Sequence, residues 1–126
     1  MTGNLLVAYL GGVRNEDEVF RALADGSRRH LLDALHARNG QTLLELCEGI
    51  NLSGMAMSRQ AVSKHLAILE EARLVLILRK GREKHHFLNP GPIADIAGRW
   101  IGKYESTDAA RVRALAEMKR QLEESP

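Results

Sequence analysis

Within two residues of Leu74 the hydrophobic period of this chain changes from helical to extended, and that change constrains the fold more than any other feature. Before it, Met57 to Leu74 reads Met-Ser-Arg-Gln-Ala-Val-Ser-Lys-His-Leu-Ala-Ile-Leu-Glu-Glu-Ala-Arg-Leu. Ser58 is placed to cap a helix by accepting a backbone N–H of the first turn, and Met57 is spaced to pack on Val62. Val62, Leu66 and Leu69 recur at i, i+4 and i+7, so one face is apolar. The other face of the first two turns carries Arg59, Gln60, Ser63 and Lys64, with no acid until Glu70 and Glu71. Donors and short polar groups of this kind fit a major groove. A merely solvated amphipathic helix would show the same pattern, so the surrounding chain has to decide.

After it, Val75-Leu-Ile-Leu-Arg-Lys80 is β-branched and aliphatic, Gly81 supplies a turn, and Glu83-Lys-His-His-Phe-Leu88 returns as a second strand. The tip of this hairpin carries Arg79, Lys80, Arg82 and Lys84. A two-stranded hairpin is marginal alone and must lean on helices. The whole chain has a formal charge of only +2, but Ser58 to His86 holds seven basic residues against three acidic ones. Positive charge is therefore concentrated on the helix and the hairpin together.

At 126 residues the chain suits one compact domain with a core of Leu, Val, Ile and Ala, since aromatics make up only 4%. Cys47, the single cysteine, rules out an intrachain disulfide and fits a reducing compartment. The apolar run Leu5 to Leu10 is too short to span a bilayer and has no basic residue ahead of it. A cytoplasmic protein without a membrane partner is expected.

Residues 1–15 read as an extension in which Leu5, Leu6, Val7 and Leu10 either dock as a short helix or stay loosely ordered. Glu16 to Ala24 reads as a helix with an acidic start and Val19, Phe20 and Leu23 inward. Asp25 is placed to cap a second helix, buried through Leu31, Leu32 and Leu35 and stopped at Asn39-Gly40. Thr42-Leu-Leu-Glu45 has the form of a capping box opening a third, short helix from Leu43 to about Glu48, closed by Gly49. The link from Ile50 to Met57 is then longer than the turn of a minimal helix-turn-helix. Asn89-Pro-Gly-Pro92 ends the second strand and opens a helix with an apolar stripe of Ile93, Ile96, Ala97, Trp100, Ile101 and Tyr104. Ser106 or Thr107 continues or restarts it toward Val112, Leu115, Met118 and Leu122. So long an apolar terminal pair is best covered by a second copy, and Trp100, Ile101, Tyr104, Val112, Leu115, Met118 and Leu122 are the expected homodimer contacts.

Three helices, a recognition-type helix, a basic hairpin and a further helix follow the order of a winged helix-turn-helix. The chain resembles the ArsR-type bacterial transcriptional repressors over roughly residues 16–105. Phe20-Arg-Ala-Leu-Ala-Asp-Gly-Ser-Arg-Arg29 resembles that family's "ALADPTRR" segment, and Met57 to Ala72 its recognition helix. Gly81-Arg-Glu-Lys-His-His-Phe-Leu-Asn-Pro90 resembles its wing and Arg99-Trp-Ile-Gly-Lys-Tyr104 its terminal helix. The resemblance implies a mainly α fold with a small hairpin, organised as an extension (1–15), a DNA-binding domain (16–90) and a helical dimerisation segment (91–126). It implies a homodimeric repressor on an inverted-repeat operator, with double-stranded DNA and a second copy as partners. Ser58, Arg59, Gln60, Ser63 and Lys64 would then meet base edges or phosphates, with His65 either on phosphate or packed under the helix. Arg79, Lys80, Arg82 and Lys84 would meet backbone or minor groove.

Three departures stand out. Arg73 occupies the position where the family has a glycine in left-handed conformation, Gly26 replaces a proline, and the link before Met57 is long enough to tilt the recognition helix. Metal-sensing relatives carry paired thiolates or a His and carboxylate set, whereas Cys47 has no second sulfur and the terminal helices have no histidine. His85 and His86 are neighbours on a strand and point to opposite faces. No metal or other cofactor is expected. Two alternatives stay open: a winged-helix module for protein contacts, and a metal- or thiol-responsive repressor using Cys47. Catalysis is not expected, because Ser63 and His65 sit at i and i+2 of a helix and no third group orients a base.

Overall fold

The computed structural model describes residues 16–105 and 109–125. The expectations for Leu5 to Leu10 and for a restart at Ser106 or Thr107 lie outside the described residues. The element order is α1 (Glu16–Leu23), α2 (Gly26–Ala37), α3 (Leu43–Leu52), α4 (Arg59–Glu71), β1 (Val75–Lys80), β2 (Glu83–Leu88), α5 (Gly91–Arg99), a 3-10 turn (Ile101–Tyr104) and α6 (Ala109–Glu124). The chain divides into two compact units between Asp95 and Ile96.

In the first unit the helices begin where short polar side chains satisfy free backbone donors. Asp25 accepts from the N–H groups of Ser27 and Arg28, and Ser58 from that of Ala61. At Thr42 the capping box closes both ways, with the hydroxyl accepting from the Glu45 N–H and the Glu45 carboxylate accepting from the Thr42 N–H. Leu31 and Leu35 of α2, Leu46 and Ile50 of α3, and Val62, Leu66 and Leu69 of α4 meet in a core that Leu74 and Val75 complete.

The third helix is longer than its glycine suggests. Gly49 lies inside α3, which continues one turn further to Leu52. Ile50 is 1% exposed and extends the buried stripe of Leu46 and Cys47, so burial outweighs the ~1 kcal/mol that glycine costs a helix interior. The connection to α4 shrinks accordingly to the residues between the caps Ser53 and Ser58.

Recognition-type helix α4 ends at Ala72 with Arg73 at a φ of +66°, so the left-handed position is kept without its glycine. The Arg73 N–H donates to Glu70 and the Leu74 N–H to Leu69, the paired bonds of a Schellman cap. β1 and β2 pair antiparallel from Val75 opposite Leu88 to Lys80 opposite Glu83. Gly81 at a φ of +64° opens the two-residue turn, which favours glycine at that place. The hairpin leans on α2, α3 and α4. Its inner end is tied down where the Gly40 N–H donates to His86, the His86 N–H donates to Gln41, and both His85 and His86 place Nδ1 at 2.9 Å from the carbonyls of Gly40 and Gln41.

In the second unit the expected continuous helix through Tyr104 is interrupted. α5 stops at Arg99 and a tighter turn follows from Ile101. Gly102 brings its backbone so close to the Ala97 carbonyl that a Cβ would stand 2.6 Å from that oxygen, an approach only glycine permits.

Candidate nucleic-acid interface

The core stripe of α4 fixes which residues face outward. At about 100° per residue, Gln60, Lys64 and Ala67 fall opposite Val62, Leu66 and Leu69, with Ser63 beside them. Gln60, Ser63, Lys64 and Ala67 are all exposed, and with Ser58 and Ala61 they line an open groove along the helix. Sequence reasoning misses Ala67, because alanine carries no polar signal. Its methyl on this stripe lets the helix approach a partner closely and suits contact with a thymine methyl.

Arg59 is exposed but lies about 100° around the helix from Gln60, toward α3, near enough for its charge to act on Cys47. Cys47 itself is buried, and burial is the main influence pushing its thiol above the ordinary range, which disfavours the reactive thiolate. Ser58 is exposed as well, although its hydroxyl is engaged at the Ala61 N–H.

His65 is placed differently from the others. It is only half-exposed, and its Nδ1 lies 3.2 Å from Nη1 of Arg28. The structure therefore separates it from Gln60, Ser63 and Lys64, which it does bring together. Nothing near His65 in sequence marks Arg28 as its partner, since the two are 37 residues apart.

On the wing, Arg79, Lys80, Arg82 and Lys84 are exposed. The register pairs Lys80 with Glu83 but sets Arg79 directly opposite Lys84. Like charges facing each other across a ladder are unfavourable for the free protein. No carboxylate opposes that pair within the hairpin, so it is a place where an external anion would relieve repulsion. Among the described residues no group of three His, Cys, Asp or Glu side chains is arranged to hold a metal ion.

In the C-terminal unit, Trp100, Tyr104, Val112, Leu115, Met118 and Leu122 are between 46% and 75% exposed and Ile101 is 38% exposed. Trp100 and Tyr104 meet edge to face with centroids 5.6 Å apart, and the Lys103 ammonium lies 5.2 Å from the Tyr104 ring centre. On α6, Arg120 bridges Glu117 and Glu124 on the side opposite Leu115, Met118 and Leu122, so the helix is amphipathic. Among the described residues no helix is long and apolar enough to cross a membrane.

Residues 23–77, from the end of α1 into β1, match the model of a helix-turn-helix domain family. The chain is 41% identical to the uncharacterized HTH-type transcriptional regulator YuzN of Bacillus subtilis (strain 168) over 88 residues, 69% of this chain and 96% of that relative. It is 32% identical to the transcriptional repressor SdpR of the same organism over 79 residues, 63% of this chain and 81% of the relative. Among solved structures, an ArsR-like transcriptional regulator from Rhodococcus sp. RHA1 is similar over the full chain and 99% of its own, at 28% identity and a TM-score of 0.57. Order of elements, basic wing and these likenesses agree: the chain belongs to the ArsR-type winged helix-turn-helix family and is a DNA-binding transcriptional regulator.

Proposed function

We propose that this regulator works as a homodimeric repressor on an inverted-repeat DNA site, with α4 in the major groove and the wing on flanking phosphates or the minor groove. The observation that carries the reading is the coincidence of two uncompensated surfaces. Over its first turns the outward stripe of α4 carries Gln60, Ser63, Lys64 and Ala67 with no acid before Glu71 at the far end of the helix, and Arg79 faces Lys84 on the wing. On α4, Lys64 suits guanine and Gln60 suits adenine, while Arg59 and Ser58 border the stripe and suit phosphate. The wing cations supply salt-dependent affinity more than sequence choice. His65 belongs to the support of the helix.

A second copy is the occupant proposed for the exposed apolar side chains of the C-terminal unit, from Trp100 to Leu122. Repression is supported by the likeness to SdpR, itself a repressor. The protein acts by occupying DNA in the cytoplasm and carries out no reaction. Cys47 serves as core.

Selection of bound duplexes from a random pool tests the reading. Recovery of two related half-sites about one helical turn apart is expected, with affinity falling steeply as salt rises. Enrichment of no sequence at moderate salt would overturn it. Sedimentation of the free protein tests the dimer, and a concentration-independent monomer would remove that part.

A further inference from the structure

We propose that His65 does not contact DNA but is the seat through which Arg28 positions the recognition helix, making Arg28 a positioning residue for sequence selectivity. The proposal rests on the reading of α4 as the helix that meets the bases.

A guanidinium has donors only, so the nitrogen 3.2 Å from Arg28 Nη1 must accept, which leaves His65 with a bare Nδ1 and its proton on Nε2. Arg28 is itself held on its other edges. Its Nε donates to the Ala22 carbonyl at 2.8 Å and its Nη2 to the Arg21 carbonyl at 3.0 Å, which also accepts from the Ala24 N–H, so both bonds fall on carbonyls at the end of α1. The Asp25 carboxylate stands 3.9 Å from Nη1, and the Arg28 side chain is only 14% exposed. A planar group fixed at two carbonyls offers its remaining edge in one direction, and His65 of α4 lies there.

Helical geometry gives the second argument. His65 stands about 140° around the axis from Gln60 and about 100° from Lys64, off the outward stripe and toward α2. A ring in that place cannot share a base pair with Gln60. It can set the rotation and height of the helix that presents Gln60 and Lys64. Small displacements of a recognition helix cost base contacts, which need alignment, more than phosphate contacts, which tolerate it. Arg28 should therefore govern the ratio of selective to general DNA affinity.

Two substitutions of the same histidine separate the roles. His65→Asn keeps a polar atom where Nδ1 stands, and His65→Gln keeps one where Nε2 stands. Affinities of full-length protein for a pool-selected duplex and for a random duplex are compared, with thermal unfolding of each variant alongside. If the tie is right, His65→Asn holds most of the selectivity while His65→Gln and Arg28→Lys each lower it by about tenfold or more, with random-duplex affinity little changed. Retention by His65→Gln with loss in His65→Asn would overturn the proposal in favour of a direct DNA contact through Nε2. Wild-type protein without selectivity would instead remove the reading of α4. In that event the nitrogen-15 imidazole spectrum decides: the Nδ1 resonance of His65, which accepts from Arg28 in wild type, must move when that donor is removed in Arg28→Ala, and a resonance indifferent to Arg28→Ala overturns the tie.

Discussion

The side-chain amide of Asn89 donates to the carbonyl of Arg73 at 2.7 Å, joining the exit of the hairpin to the one described non-glycine residue with positive φ. Asn89 is 3% exposed, its backbone N–H donates to Leu74, and its Oδ1 accepts from Gly91. A left-handed arginine costs about 1–2 kcal/mol relative to its ordinary conformation, and this clamp over-determines the geometry that holds it there. Asn89→Ala should therefore destabilise the protein by about 1–3 kcal/mol, because it leaves the Arg73 carbonyl and the Gly91 N–H without these partners. Denaturant unfolding reads the loss. Asn89→Asp is the sharper variant: it keeps an acceptor for Gly91 but turns a second oxygen on the Arg73 carbonyl, so it should fall at least as far as alanine. Wild-type stability in either variant would show that the clamp carries nothing.

How much of this was legible in the sequence follows from range. The caps at Asp25, Thr42 and Ser58 each involve a partner within three residues, and the hairpin follows from the β-branched and aliphatic run Val75 to Leu78 and the turn at Gly81, so all were readable. The extra turn of α3 was not, because Gly49 argues locally for a stop while the reward for continuing is burial of Ile50. The same holds for the Arg28 contact with His65 and for the Asn89 clamp, whose partners are brought together by the fold. At the candidate interface the charged residues announced themselves. Ala67 and the departure of His65 from the outward stripe depended on knowing how α4 is rotated against its neighbours.

Acid sensitivity should come in part from the cap of α2. The Asp25 carboxyl is held below its ordinary value first by the N–H of Arg28, with the Ser27 N–H and the Arg28 charge adding to it against desolvation. A carboxylate depressed in the folded state binds its proton more readily when unfolded, so its stabilisation is present above the unfolded value near 3.9 and disappears as pH falls through the folded one. Glu45 is shifted in the same direction, chiefly by the Thr42 N–H. Asp25→Asn keeps the cap without the titration. Thermal midpoints recorded from about pH 7 down to about pH 3 should drop less steeply in Asp25→Asn than in wild type. Parallel curves would assign the acid loss elsewhere.

The break after α5 rests on Gly102. A methyl there would stand 2.6 Å from a backbone oxygen that cannot rotate away, so Gly102→Ala must shift the 3-10 turn. The turn carries Tyr104, which meets the single tryptophan, Trp100, edge to face at 65°. A loss of about 1–3 kcal/mol is expected from such overpacking, together with a changed near-ultraviolet dichroism of Trp100. If the homodimer uses these aromatics, its dissociation constant should rise in the same variant. An unchanged tryptophan signal would mean that the turn accommodates the methyl without moving.

The wing makes a prediction with two opposite signs. Arg79 and Lys84 face each other across the ladder without a carboxylate between them, an arrangement that costs the free protein a little and suits an anionic partner. Lys84→Glu replaces that repulsion with an opposite-charge pair, which should raise the thermal midpoint by roughly 1–4 °C at low salt. The same change removes a cation from the wing and adds an anion, so DNA affinity should fall. The slope of log affinity against log salt should become shallower by about 1 for each phosphate that the wing no longer neutralises. Lys84→Gln should lie between the two on both axes. A variant that unfolds earlier and binds more weakly would mean that Lys84 is part of the hairpin's support. One that unfolds later and binds DNA with undiminished salt dependence would take the wing out of the interface. Only the combination of higher stability with weaker, less salt-sensitive binding fits a surface whose charge arrangement is explained by the partner and not by the fold.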